Sequence, residues 1–346
     1  MYYPIKFKPL YKANIWGGRN LEKLNKQLPS GIVGESWEIA AHPDGMGVIA
    51  NGLFENMTLE QLVQKYKSDI IGTKLPQKHL DKFPLLIKLI DANNDLSVQV
   101  HPTDNYANKN ENGEYGKNEM WYVVDCKPNA RLVYDVKSSI DKSAFKNAIR
   151  NNLVEDALNF VKVKPGDCFN IPAGLVHAIG TGLIICEIQQ NSNTTYRVFD
   201  YNRVDKNGNK RQLHIEKALD VIDFSHNYEY TKLPGLVIKD KSIITKYIVA
   251  NKYFAVEHIT ISGITKMNTH DERFYTYTIL KGTGKINNIA VTMGESILVP
   301  AKLGKYTLSG NFEAIKSYVP DIEKNIIRPL KKANYSLDEI NKMVVR

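Results

Sequence analysis

The stretch "LSVQVHP", residues 96–102, sets Ser97, Gln99 and His101 at two-residue intervals. On an extended chain these polar side chains share one face while Val98 and Val100 turn to the other. Farther along, Glu119 opens the apolar run "EMWYVVDC", and His177 stands among apolar neighbours in "PGDCFNIPAGLVHAIG". Two imidazoles and a carboxylate carried on separate strands can converge on one metal ion, with the Gln99 amide oxygen as a fourth donor. Such a donor set suits Zn2+ and equally accommodates Fe2+ or Mn2+, so donor chemistry alone leaves the metal open. The remaining histidines, His42, His79, His214, His226, His258 and His270, follow no ligand spacing and read as structural or exposed.

Donors of this kind need strands to hold them, and the chain supplies many. Short β-rich runs such as "GVIANG", "FPLLIKLI", "MWYVVDC", "ARLVYDV" and "LIICEIQQ" alternate with turns rich in Gly, Pro, Asn and Asp. That rhythm predicts a mainly β protein of sandwich or barrel type. Helical signals are few and peripheral: Thr58 and Gln61 stand at capping-box spacing ahead of "LEQLVQKY", a second helical region falls within 139–160, and Ser336 with Glu339 repeats the box near the end.

Composition narrows the partners. At 346 residues, with 43% hydrophobic and 24% charged residues, the chain is globular and long enough for two domains. The net charge of +9 favours an anionic partner. Its basic residues are scattered and belong to no nucleic-acid module, which points to a small anion and away from nucleic acid. No apolar run approaches the ~20 residues that span a bilayer, and the opening segment lacks the pattern of an export signal. Cys126, Cys168 and Cys186 are an odd set without metal-binding or disulfide spacing. Together these features predict a cytoplasmic protein with reduced thiols and no membrane partner.

Two distant stretches resemble each other. "GDCFNIPAGLVH", from Gly166, and "GESILVPAKLGK", from Gly294, both place Pro six residues after Gly, and "EMWYVVDC" corresponds to "FYTYTILKG" upstream. Two related β units are the expectation. Gly166, Pro172, Gly174 and His177 match a pattern that resembles the second motif of the cupin family, which implies jelly-roll barrels with the histidine at a barrel mouth. In the later copy Lys302 and Lys305 take the positions of Gly174 and His177, and Tyr275 takes that of Glu119. A protonated ammonium is no ligand, so the second barrel is expected to be metal-free.

The blocks "YKANIWGG", "GESWEIAAHPDG", "PLLIKLIDANNDLSVQVHP", "GKNEMWYVVDC", "PAGLVHAIGTG" and "EIQQNSNTTYRVFDYNR" together resemble the type I mannose-6-phosphate isomerase family, in its short bacterial form, from about residue 3 to residue 320. The resemblance implies one zinc per chain on His101, Glu119 and His177, with Gln99 as a further ligand. It also implies a sugar-phosphate substrate, with mannose 6-phosphate and fructose 6-phosphate interconverted. Residues that match the family's catalytic positions are Arg197, Glu187 and Lys117. Ser97 and Arg203 fall where the family contacts phosphate. Thr181 stands where a full cupin pattern has Asn, and Q-x-H replaces H-x-H, departures that belong to this isomerase branch and count against a cupin dioxygenase.

Moving a proton between C1 and C2 of a hydroxy-aldehyde needs a base and stabilisation of an enediolate. Glu187 and Lys117 are both candidates for the proton carrier, and Arg197 supplies fixed positive charge. Lys88, in "LLIKLIDANND", either lines the substrate pocket or alternates outward. The expected organisation is a catalytic cupin domain over 1–225 with helical insertions, followed by a degenerate, metal-free cupin domain over 226–346. The rival functions are a metal-dependent cupin dioxygenase and a non-catalytic sugar-phosphate-binding module.

Overall fold

The computed structural model describes residues 2–205, 207–225 and 232–345. His226 and the expected boundary between 225 and 226 fall outside the described residues. The chain is mainly β and forms two cupin-type units, each folded around its own core.

The first unit is a pair of facing sheets. One orders its strands Leu158–Lys162, Arg131–Val136, His177–Ile179, Val98–Val100 and Tyr196–Phe199. The other runs Cys168–Ile171, Glu119–Cys126, Leu183–Gln190, Leu85–Ala92, Glu35–Ile39 and Leu10–Lys12. Leu85–Ala92 is buried along its whole length, which explains a sequence without polar alternation. Leu85, Ile87 and Leu89 join a core shared with Phe254, Val256, Leu298 and Ile315 of the second unit, while Ile90 and Ala92 face the interior of the first. Glu119–Cys126 and Leu183–Gln190 divide in the same way. Met120, Ile184, Cys186 and Ile188 meet the second unit; Trp121, Val123, Leu183 and Ile185 face inward. The outer face of the five-stranded sheet is closed by Lys142–Arg150 and Ile215–Val221, through Phe145, Ala218 and Leu219.

The second unit is built on Ala255–Asn268 and Lys305–Tyr318, which pair antiparallel end to end, with Tyr275–Ile286 on the far side of Lys305–Tyr318. The N-terminal chain serves both units: Ile5–Lys8 pairs with Ser296–Val299, and Leu10–Lys12 then pairs with Glu35–Ile39. Both expected capping boxes form, on Leu59–Tyr66 and Leu337–Asn341, and Asp141 caps Lys142–Arg150. All three cysteines are free thiols. Among the described residues no helix is long and apolar enough to cross a membrane.

Strand registers relate the two units. Glu119 lies opposite Ile171 and Tyr275 opposite Val299, the residues just before the two matched prolines, so Tyr275 does occupy the position of Glu119. Lys305 differs from expectation. It is exposed, and Tyr306 turns inward to meet the Tyr277 hydroxyl at 2.6 Å. The second copy re-enters its sheet one residue out of phase, which exchanges the faces of every following side chain. A further correspondence joins two buried ion pairs. Lys88 pairs in register with Glu187, and Glu257 with Lys316, with Nζ–O separations of 3.1 and 3.0 Å. The pair is kept and its charges are exchanged.

Candidate functional site

The edges of the two facing sheets bring His101, Glu119 and His177 together. Gly166 and Gly174, with φ of +87° and +91°, take left-handed turns that admit glycine readily, and the Gly174 amide donates to the His101 carbonyl at 2.9 Å. The loop from Pro172 thereby starts the next strand at His177, opposite Gln99. Each imidazole is oriented by its Nδ1, against the Thr194 carbonyl at 3.0 Å for His101 and the Leu175 carbonyl at 2.8 Å for His177. With Nδ1 donating, both Nε2 atoms carry lone pairs, and they face each other at 3.1 Å. Burial, and then the nearby Lys117 ammonium, pulls the His101 ring down to about 3, and burial also lowers the His177 ring below the usual imidazole value.

Glu119 is fully buried, with Oε1 3.2 Å from His101 Nε2 and Oε2 3.8 Å from His177 Nε2. Neither oxygen has a well-aligned hydrogen-bond donor, although Lys117 Nζ stands 2.9 Å from Oε1. Two inward lone pairs and a dehydrated carboxylate repel one another unless a cation lies between them. The donors lie within 4.8 Å of one another, and the residues fit a divalent metal. Gln99 places its amide 3.3 Å from His177 Nε2. Exchange of the amide O and N would turn the oxygen toward the same point.

A cavity of about 280 Å³ opens beside this cluster. Its charged lining is Glu35, Lys88, Lys117, Glu187, Arg197 and Arg211, four cations against two carboxylates, which makes it electropositive. Lys88 and Glu187 come from neighbouring strands of the six-stranded sheet. Trp121 Nε1 donates to Glu187 Oε2 at 2.8 Å, and Lys88 approaches Oε1 at 3.1 Å. Burial and then the Glu119 charge hold the Glu187 carboxyl above its ordinary range. Burial alone would lower the Lys88 ammonium, but Glu187, Glu35 and Glu119 reverse that and keep it charged. From the opposite sheet, Arg197 donates through Nε to Ser97 Oγ at 3.2 Å and through Nη1 to the Gln212 carbonyl at 2.8 Å.

Comparison with known proteins decides the family. Residues 5–126 match "Phosphomannose isomerase type I, catalytic domain", and residues 243–319 match "Mannose-6-phosphate isomerase, cupin domain". Mannose-6-phosphate isomerase ManA of Bacillus subtilis is 38% identical over 320 residues, covering 91% of this chain and 99% of its own length. The chain belongs to the type I mannose-6-phosphate isomerases. It is accordingly an isomerase, an intramolecular oxidoreductase. The mannose-6-phosphate isomerase of Streptococcus mutans is 35% identical over 91% of this chain and 98% of its own. The crystal structure of the Bacillus subtilis enzyme superposes with a TM-score of 0.84 at 36% identity, covering 91% of this chain and 99% of that one. A phosphomannose isomerase variant from Salmonella typhimurium, 16% identical over 92% of this chain and all of its own, shares the fold with a TM-score of 0.70.

Of the residues singled out in the sequence of this isomerase, His101, Glu119 and His177 form the donor cluster. Gln99, Lys117, Glu187, Arg197, Ser97 and Lys88 line the adjoining cavity. Arg203 is not among the lining residues. Its Nη2 meets Asp200 Oδ1 at 2.5 Å, its Nη1 donates to the Asp95 carbonyl and its Nε to the Asp200 carbonyl. The cavity also contains residues that sequence reasoning missed. Trp121 follows Glu119 by two positions on the same strand face, and Glu35 stands likewise two before Trp37, so the period-two stripe that revealed Gln99 and His101 was available for both. Arg211 carries no such signal, because it lies in an irregular loop.

Proposed function

We propose that this isomerase interconverts mannose 6-phosphate and fructose 6-phosphate through an enediolate, with one Zn2+ held by His101, Glu119 and His177 and with Gln99 as a further ligand. The observation that carries this reading is the buried His/Glu/His cluster, whose carboxylate oxygens lack a well-aligned hydrogen-bond donor, beside a cavity with excess positive charge. When bound, the ion would polarise the sugar carbonyl and offset developing negative charge on its oxygen.

The residues around it have separable tasks. Glu187 is the proposed proton carrier between C1 and C2. Its carboxyl is raised above the ordinary carboxylate range, and Trp121 and Lys88 each hold one oxygen while leaving lone pairs for the substrate. Lys117, against Glu119, holds the charge of a ligand carboxylate and presents an ammonium to the sugar hydroxyls. Arg197, braced on Ser97 and Gln212, places a guanidinium at the other side of the cavity, where it meets charge on the substrate. Residues 1–225 form the catalytic domain of this proposal and 226–346 the metal-free one, with Ile5–Lys8 crossing between them.

A coupled assay of fructose 6-phosphate formation, with and without chelator, tests the reading. Turnover that chelation abolishes and zinc restores is expected. Oxygen consumption in place of isomerisation would assign the site to a dioxygenase, and binding without turnover to a sugar-phosphate sensor.

A further inference from the structure

We infer that Asn118, whose side chain is neither a metal donor nor part of the cavity lining, is a positioning residue that fixes the segments of His101 and His177 against the strand carrying Glu119. The inference rests on the metal site proposed above. Asn118 stands between Lys117, which lines the cavity, and Glu119, which belongs to the donor cluster, so it can act on the site only through other residues.

The reason lies in where the six-stranded sheet stops. Glu119 pairs with Ile171 on one side and with Gln189 on the other. One residue earlier, at Asn118, both neighbouring strands leave the sheet: Cys168–Ile171 gives way to the Pro172 turn, and Leu183–Gln190 ends. There side chains continue the ladder. Asn118 Oδ1 accepts from the Ala173 amide at 3.1 Å, while Gln190 Oε1 accepts from the Asn118 backbone amide at 3.0 Å and from Asn118 Nδ2 at 2.7 Å. Gln190 Nε2 in turn donates to Asp104 Oδ1 at 2.9 Å, and the Gly116 amide donates to the same oxygen at 2.9 Å. The Gly116 backbone passes so close to this segment that a β-carbon on it would stand 2.3 Å from the Asp104 nitrogen.

The orientation of both amides is dictated by their partners. A backbone N–H can only donate, so Ala173 selects the oxygen of Asn118 and the Asn118 N–H selects the oxygen of Gln190. Each amide nitrogen then meets an acceptor, Gln190 Oε1 or the Asp104 carboxylate. The ends of this network are the parts of the site. Asp104 lies three residues after His101, Ala173 four before His177, Gln190 three after Glu187, and Asn118 directly before Glu119. A polar network with matched donors and acceptors holds its members in one arrangement. Removing the Asn118 amide strands the Ala173 N–H and lets these segments shift relative to Glu119, which loosens donors that must meet in one coordination sphere.

The test compares Asn118→Ala, Asn118→Asp, Gln190→Ala and the Asn118→Ala, Gln190→Ala double variant in the full chain. The readouts are zinc affinity by competition with a chromophoric chelator, kcat and KM on mannose 6-phosphate, and thermal unfolding followed by circular dichroism. Asn118→Ala is expected to weaken zinc binding and to lower kcat, each on the order of ten-fold, with KM changed less. Asn118→Asp keeps the acceptor for Ala173 and loses the donor to Gln190, so it should recover part of both. Gln190→Ala should act in the same direction, and the double variant should lose less than the product of the two single effects, because the residues share one network. Unchanged zinc affinity and kcat in folded Asn118→Ala overturn the inference, since a merely structural role would move the melting temperature alone. If Asn118→Ala does not fold, Asn118→Asp and Gln190→Ala decide by the same readouts. A wild-type chain that binds zinc without isomerising mannose 6-phosphate removes the proposed function, while the zinc affinities still judge Asn118; a wild-type chain without zinc affinity removes the metal site and this inference with it.

Discussion

Replacing Lys88 by Met removes a buried ammonium 3.1 Å from Glu187 and leaves that carboxylate with the Trp121 indole as its remaining close donor. Both partners are nearly inaccessible, with side-chain exposures of 4% and 5%. At an effective dielectric near 20 the attraction lost is about 5 kcal/mol as an upper bound. Breaking a buried pair from one side costs roughly 3–5 kcal/mol of stability. The functional consequence has a definite sign. Burial and Glu119 already raise the Glu187 carboxyl, and Lys88 opposes them, so its loss lifts the group further. If ionised Glu187 takes the proton, the acid limb of kcat/KM moves toward higher pH, and plateau activity above it is retained in larger part than activity at neutral pH. Profiles of kcat/KM against pH for wild type, Lys88→Met and Lys88→Arg measure this, with circular dichroism to confirm folding. An acid limb that stays in place in folded Lys88→Met refutes the assignment of Glu187 as the ionising base.

The exchanged pair in the second unit gives a purely structural counterpart. Glu257→Gln strands Lys316, 10% exposed and within 5 Å of the Tyr275 and Tyr318 rings, and should lower stability in urea by about 2–4 kcal/mol with kcat unchanged. A loss below about 1 kcal/mol would mean that the aromatic faces suffice to hold the charge. Burial, and then Lys78, depress His79 from 6.5 to about 4. The unfolded chain therefore takes up this proton first as pH falls, and the stability that neutral His79 contributes is full above 6.5 and lost down through 4, by up to roughly 3 kcal/mol. His79→Gln should flatten that slope of stability against pH, and an identical slope in the variant would place the acid sensitivity elsewhere.

Much of the site was legible because its signals are local. Gln99 and His101 announce themselves by period two, and His177 by the Gly and Pro residues that set its turn. Lys88 could not be oriented from sequence, since a strand buried on both faces has no alternation to read. The second unit, covering Leu85, Ile87 and Leu89, removes the ambiguity and leaves Lys88 facing the cavity. Tyr275 was placed correctly opposite the motif proline's neighbour, but Lys305 was not, because a shift of one residue in strand phase leaves the sequence alignment intact while exchanging inside and outside. Arg211 was invisible for another reason: a loop of fourteen residues from Asp200 to Leu213 has no period, and only folding brings its arginine back to the Asp200 carboxylate and the cavity.

In the proposed site, His101, Glu119 and His177 hold a single zinc on which isomerisation depends. Metal analysis of purified wild type and His177→Ala, paired with the isomerase assay on the same samples, tests it most directly. About one zinc per chain is expected in the wild type, with parallel loss of zinc and turnover in His177→Ala and the fold retained. Full zinc occupancy in His177→Ala, or wild-type turnover that persists after the metal has been stripped, would contradict it.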